Sequence, residues 1–230
     1  MQYRIAPAGG PFEPAARLQE SLLSRIEKRT LVALAGRMPA WVNSDHLTLV
    51  GFLGMALAGI CYFSARFYPL ALVGAVVFLG VNWFGDSLDG TLARVRNCQR
   101  PRYGFYVDHI IDTFGALFLI GGMGMSGYMT DRLALVLIIA YFLVSIELYL
   151  ATYAVRVFRL SFGPLGPTEL RIVLGAGTLV LLKKPTVSIG PNTYLLCDVG
   201  GVVAIAVLVV LAIYSTIQNT IRLYREERLP

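Results

Sequence analysis

Long apolar blocks separated by short polar ones organise this chain. Six of them, at about 45–65, 68–93, 105–127, 133–157, 169–183 and 194–221, predict membrane-crossing helices, because a hydrocarbon core of roughly 30 Å takes ~20 residues of α-helix. The fifth block is the shortest. Strands of a membrane barrel would alternate apolar and polar positions over ~10 residues, and these blocks are continuously apolar instead. The expected fold is an all-α integral membrane protein with six transmembrane helices. Residues 1–43 are polar and charged, without the compact apolar run of a cleavable signal. Within them Leu18, Leu22, Leu23 and Ile26 interleave with Arg17, Arg25, Lys28 and Arg29, which predicts an amphipathic helix lying on the membrane surface. The chain thus divides into an N-terminal arm, 1–43, and a membrane domain, 44–230. Gly163-Pro164-Leu165-Gly166-Pro167 marks the turn between the fourth and fifth spans.

Composition agrees with that pattern: 56% of the 230 residues are hydrophobic and 15% charged, with a mean hydropathy of +0.65. The net charge of +6 matters less than its distribution. With six spans, one side holds Arg4, Arg17, Arg25, Lys28, Arg29 and Arg37, then Arg94, Arg96, Arg100 and Arg102. It also holds Arg156, Arg159 and Arg171, and finally Arg222, Arg225 and Arg228. Only Arg66, Arg132, Lys183 and Lys184 fall on the other side. The positive-inside rule therefore places both termini and the loop after the second span in the cytoplasm, at the inner membrane if the source is prokaryotic. Topology and anionic headgroups account for the basicity without a nucleic-acid partner. Cys61, Cys98 and Cys197 form no paired spacing, and His46 and His109 offer no zinc-type cluster.

One window departs from the apolar background. Asp86, Asp89, Gly90, Ala93 and Arg94 are followed by Gly104, Asp108 and Asp112, in the pattern D-x2-D-G-x2-A-R-x9-G-x3-D-x3-D. If the second span continues to about Val95, the first five lie on one helical stripe near its cytoplasmic end. Asp108 and Asp112 are one turn apart on the third span, and Pro101 lies in the antiparallel return between the two. Carboxylates in hydrocarbon are costly unless paired or bound to a cation. With oxygen ligands alone on offer, the set favours Mg²⁺ or Mn²⁺, and two ions would offset the four charges. Gly90 and Ala93 expose backbone against which a nucleotide can lie, while Arg94 can grip a phosphate through two donors.

This window resembles the signature of the CDP-alcohol phosphotransferase (CDP-alcohol phosphatidyltransferase) family, integral membrane enzymes of phospholipid biosynthesis, with all eight positions present. The resemblance implies a six-helix fold after an interfacial helix, usually as a homodimer. It implies attack of an acceptor hydroxyl on the β-phosphorus of a CDP-linked alcohol, with release of CMP. Asp86, Asp89 and Asp108 become metal ligands, and Asp112 the general base that also approaches the metal. Gly90, Ala93 and Arg94 become CDP contacts, and Gly104 shapes the start of the third span. Donors in the family include CDP-diacylglycerol, CDP-choline and CDP-ethanolamine, and the Asp108-His109 pair is similar to the choline/ethanolamine branch.

Weaker signals surround this core. Ser44-Asp45-His46-Leu47-Thr48 is similar to the family's P-N-x-L-T or P-D-x-L-T start of the first span, with serine for proline, so Asp45 or Thr48 can approach the nucleotide; a Ser/Asp helix cap is the alternative. Asn82, one turn before Asp86, faces the same stripe. Glu147, mid-way along the fourth span, is expected to face the polar cavity and support the site or the acceptor. Arg171 begins a helix on the cytoplasmic side and suits an acceptor phosphate or a lipid phosphodiester. Asp198 falls near the far surface. Two other classes use intramembrane aspartates: prenyltransferases, which carry a second aspartate motif absent here, and divalent-cation transporters, which require neither Gly90, Ala93 and Arg94 nor clustering at one face.

Overall fold

The computed structural model describes residues 16–18, 23–155, 157–159 and 166–227. Its helices are α1 (Ser24–Arg37), in the N-terminal arm, and six that follow the apolar blocks: α2 (Ser44–Ala65), α3 (Ala71–Val95), α4 (Pro101–Met125), α5 (Asp131–Val155), α6 (Pro167–Leu181) and α7 (Leu196–Glu226). Five of these, α2 to α5 and α7, are long and apolar enough to cross a membrane. The fifth block forms α6 but stops at 15 residues, about 22 Å at 1.5 Å per residue. In the connection between the fifth and sixth blocks, Thr186–Ile189 and Asn192–Leu195 pair as an antiparallel hairpin. Its tight turn uses Gly190 at φ +62, a backbone region that glycine enters without steric cost.

The N-terminal arm also differs from its pattern. Ala16–Leu18 is extended and pairs in parallel with Val157–Arg159, so the amphipathic helix begins at Ser24 rather than near Arg17. Arg4, Leu22, Arg156, Arg228 and the Gly163-Pro164-Leu165 part of the turn lie outside the described residues.

Short connections at 66–70, 96–100 and 126–130 join α2 through α5, which makes successive helices antiparallel neighbours. The helices α3 and α4 both pack on α2, α5 packs on α4, α7 on α5, and α6 and α1 on α3. Glycines set the central crossings. A Cβ at Gly85 of α3 would lie 2.3 Å from the Gly51 nitrogen of α2. One at Gly122 of α4 would lie 2.1 Å from the Gly59 oxygen. These backbones touch directly, as small residues permit in membrane helix pairs.

The larger apolar cluster, with Ala58, Leu72, Leu79, Leu119 and Met129, fills the half of the bundle away from the aspartates. There Tyr62 of α2 hydrogen-bonds Thr178 of α6, and Asp198 accepts from the Thr130 amide (2.7 Å) and hydroxyl (2.6 Å) at the start of α5. The smaller cluster lies at the other end. Leu31 and Ala35 of α1 are buried there with Val42, Leu47, Leu88 and Leu92, so α1 is packed against the bundle below the aspartate-bearing turn of α3.

Candidate active site

The α2–α3 backbone contact decides where the site forms. Gly85 lies against Leu47 and Gly51, and the next residue, Asp86, is thereby held beside the first turns of α2. On α4, Asp108 and Asp112 are one turn apart and face the same cleft. Carboxylate oxygens of Asp86, Asp108 and Asp112 all lie within 4.8 Å of one another. The cleft between them is also lined by Thr48, Gly51 and Asn82.

Asp89 stands slightly apart. Its Oδ2 accepts from the Thr48 hydroxyl at 2.6 Å, its Oδ1 accepts from the Gly90 amide, and its carbonyl accepts from Ser44 Oγ at 3.1 Å. The start of α2 thus holds the Asp89 turn of α3 through both Ser44 and Thr48. Thr48 sits where a residue near the nucleotide was expected, and its hydroxyl orients a carboxylate. The cap of α2 is Asn43, one residue before Ser44: its side chain accepts from the His46 amide at 3.0 Å, and His46 Nδ1 accepts from the Asn43 amide at 3.4 Å. Asp45 instead pairs with Arg100 at an exposed position.

Arg171, from the first turns of α6, reaches into this group. Its Nη2 donates to Asp86 Oδ2 at 2.5 Å and its Nε to Asn82 Oδ1 at 2.8 Å. Asn82 is buried and donates in turn to the Gly51 carbonyl at 3.0 Å. The planar guanidinium fork makes such a two-partner clamp possible. Three carboxylates against one guanidinium leave excess negative charge, and like charges at 4 Å repel by about 4 kcal/mol at an effective dielectric near 20. An all-oxygen, net-anionic donor set in a partly enclosed cleft fits a hard divalent cation.

The remaining candidates take clear positions. Gly90 and Ala93 are half-buried on the same stripe. A Cβ at Gly90 would meet only Arg94 Nη1, at 3.6 Å, so space above the backbone is open. Arg94 is exposed near the end of α3 and donates to Thr91 Oγ1 at 2.9 Å. Gly104 lies in the exposed first turn of α4, where an added Cβ would meet nothing within 4 Å. Glu147 does not join the aspartates: its Oε1 accepts from Ser215 Oγ (2.9 Å) and Asn219 Nδ2 (2.8 Å) of α7. Next to Asp108, the buried His109 ring stacks on Phe105 with centroids 4.1 Å apart, and its Nδ1 meets the Phe105 carbonyl at 2.7 Å. Tyr149 of α5 packs edge-on against it, 4.9 Å between centroids.

Some of the supporting residues carried no signal in the sequence pattern. Glu27 of α1 accepts from Trp83 Nε1 at 2.9 Å and from Thr168 Oγ1 at 2.5 Å. Buried Glu169 accepts from the Leu23 amide at 2.8 Å and the Gly166 amide at 3.0 Å. The Pro167-Thr168-Glu169 helix start was a legible cue for the second bond. The bonds from Thr168 to Glu27 and from Leu23 to Glu169 were not, since they join residues more than a hundred positions apart.

Fold and site together define an integral membrane helical bundle with a cluster of three aspartates, Asp86, Asp108 and Asp112, toward one end. The CDP-alcohol phosphatidyltransferase family description matches residues 41–218, and the chain belongs to that family, whose members use divalent metal ions. Archaetidylinositol phosphate synthase of Pyrococcus horikoshii is 30% identical over 123 residues, covering 54% of this chain and 58% of that protein. The same-named protein of Methanothermobacter thermautotrophicus is 29% identical over 124 residues, covering 51% and 60%. The matched region thus spans less than two thirds of either relative. The fold is similar to the crystal structure of Mycobacterium tuberculosis phosphatidylinositol phosphate synthase with CDP-DAG bound. That comparison has a TM-score of 0.55 at 19% identity, covering 85% of this chain and 94% of that one.

Proposed function

We propose that this protein transfers a substituted phosphate group from a CDP-alcohol to an acceptor hydroxyl, releasing CMP, in phospholipid biosynthesis. The convergence of Asp86, Asp108 and Asp112 within 4.8 Å, in a chain of this family, is the observation that carries the reading. In the reaction, the acceptor oxygen forms a bond to the β-phosphorus, the bond from that phosphorus to the CMP oxygen breaks, and the acceptor proton goes to a base. Asp112 is the assigned base, one turn further along α4 than Asp108 and lining the same cleft. A base must come within hydrogen-bond reach of the hydroxyl it deprotonates.

Asp86, Asp89 and Asp108, with Asp112 close by, would hold Mg²⁺ or Mn²⁺, as two ions. When bound, the metal polarises the phosphoryl oxygens and neutralises charge on the leaving phosphate. The chain's own groups do the rest. Thr48 orients Asp89, Asn82 and Arg171 orient Asp86, and Arg94 with Gly90 and Ala93 receives the cytidine diphosphate. Arg171 can also meet an acceptor phosphate from the α6 side. Glu147, bonded to α7, supports the α5–α7 contact.

We further infer six spans with α6 as the short one, both termini and the site cytoplasmic, and α1 at the membrane surface. The exposure of Ile26 and Val32 beside Arg25, Lys28 and Arg29 supports that placement of α1. Membrane lipids and a second copy of the chain, as a homodimer, are the proposed neighbours. The test is CMP release by purified protein in nanodiscs with Mg²⁺. Donors should include CDP-diacylglycerol, CDP-choline and CDP-ethanolamine, and acceptors an inositol phosphate, the group in the relatives' names. No CMP from any donor–acceptor pair would overturn the reading.

A further inference from the structure

We propose that Arg96 is a positioning residue that locks the start of α2 onto the end of α3, and thereby sets the Thr48–Asp89 and Arg94 parts of the site. The proposal rests on the phosphotransferase reading for its consequence, though not for its geometry. The end of α3 is built to fix Arg96 in place. Asn97 takes the left-handed conformation at φ +54, its amide donates to the Arg94 carbonyl at 3.2 Å, and the Cys98 amide donates to the Ala93 carbonyl at 3.0 Å. This pair of bonds is a Schellman-type termination, with Arg96 at the C-cap.

From that fixed point the Arg96 guanidinium reaches the elbow between α1 and α2. Its Nη2 donates to the carbonyls of Met38 and Pro39, each at 2.9 Å. Its Nη1 donates to the Val42 carbonyl and, at 3.5 Å, to that of Ala40. Four carbonyls of one short loop converge on one side chain, an arrangement suited to a planar multi-donor fork. The elbow leads directly into Asn43, Ser44 and Thr48, and the last two bond Asp89. Arg96 therefore closes a ring: α3 C-cap, elbow, first turn of α2, and back to α3 at Asp89. Arg94, two residues before Arg96, is held by the same termination.

Arg100 makes a second link across the same gap, to Asp45, but both side chains there are about half exposed. Exposed ion pairs contribute little, so Arg96 is the principal tie. Two of the Arg96 bonds, to the Met38 and Val42 carbonyls, are part-buried, and bonds from a charged donor to such carbonyls are the stronger kind.

The test compares Arg96→Ala and Arg96→Lys with the unaltered protein in nanodiscs, with two readouts. One is CMP release against CDP-diacylglycerol and against Mg²⁺ concentration. The other is the rise in thermal midpoint on adding CMP with Mg²⁺, which needs no turnover. Arg96→Ala is expected to raise the donor KM and the half-saturating Mg²⁺ about ten-fold, equal to ~1.4 kcal/mol, and to weaken the CMP–Mg²⁺ thermal response in parallel. Excess Mg²⁺ should recover much of kcat. Arg96→Lys should fall between, because one ammonium cannot serve four carbonyls in a plane. A purely structural role would lower only the folded fraction, leaving KM, the Mg²⁺ midpoint and the ligand-induced shift per folded molecule unchanged; that result overturns the proposal. If the alanine variant fails to fold, the lysine variant decides by the same measures. Absence of CMP release by the unaltered protein would reject the proposed function, while the thermal readout would still judge Arg96.

Discussion

Placing one methyl group on α3 should separate fold from chemistry in a measurable way. In Gly85→Ala the new Cβ would lie 2.3 Å from the Gly51 nitrogen and 2.5 Å from the Leu47 oxygen. Ordinary contacts between heavy atoms begin near 3.5 Å, so α2 and α3 must part by roughly 1 Å. Both neighbours are backbone, and no side chain can turn aside to absorb the clash. Overpacking of this kind costs ~1–3 kcal/mol, and the upper end applies here. Asp86 follows Gly85 directly, so the same displacement moves a proposed metal ligand, and a 1 Å misplacement can lower a rate by about 10²-fold. Gly80→Ala on the same helix is the control, because nothing lies within 4 Å of its Cβ position. Thermal unfolding and CMP release per folded molecule should fall together in Gly85→Ala and stay near the starting values in Gly80→Ala. Equal stability and activity in the two variants would refute the account of the crossing.

Asp112→Asn should reduce turnover by about 10²–10⁴-fold, the usual contribution of a general base, while thermal stabilisation by CMP and Mg²⁺ persists; unchanged turnover would remove the base assignment. Arg171→Lys cannot bond Asp86 and Asn82 together, and CMP release should drop at least about ten-fold, the result of losing roughly 1.4 kcal/mol; full activity would show that the clamp is dispensable. Glu147→Gln keeps an acceptor for Ser215 and Asn219, so turnover should change little and stability by no more than about 1 kcal/mol. A large loss of activity there would return Glu147 to the site. Chelation by EDTA should stop CMP release and Mg²⁺ or Mn²⁺ should restore it, whereas activity in excess chelator would exclude the proposed metal role.

Local pattern made much of this protein legible. Apolar run length predicted all of the helices from α2 to α7 as blocks, because helix length and hydrophobicity must match the bilayer wherever a segment crosses it. The spacing from Asp86 to Asp112 placed the aspartates on facing stripes, since helical periodicity is a property of the local chain. It also carried the family resemblance that the comparison over residues 41–218 bears out. Other features were invisible at that range. The hairpin at Thr186–Leu195 looks no different from a helix end when only hydropathy is read. Glu147 has the same intramembrane character whether it faces the aspartates or, as it does, Ser215 and Asn219.

Tertiary structure alone decided which groups meet. Gly85 against Gly51 brings the backbones of α2 and α3 into contact, and that approach, rather than any motif, sets the depth of Asp86 beside Thr48. Arg171 reaches Asp86 across 85 residues of sequence, and Arg96 gathers carbonyls from an elbow more than fifty residues earlier. Backbone carbonyls are present at every position, so no residue type announces such a partner. The sequence determined the helices and the chemistry they carry; packing of glycine faces and the reach of two arginines determined how that chemistry is assembled, because side-chain contacts between distant segments exist only once those segments are packed.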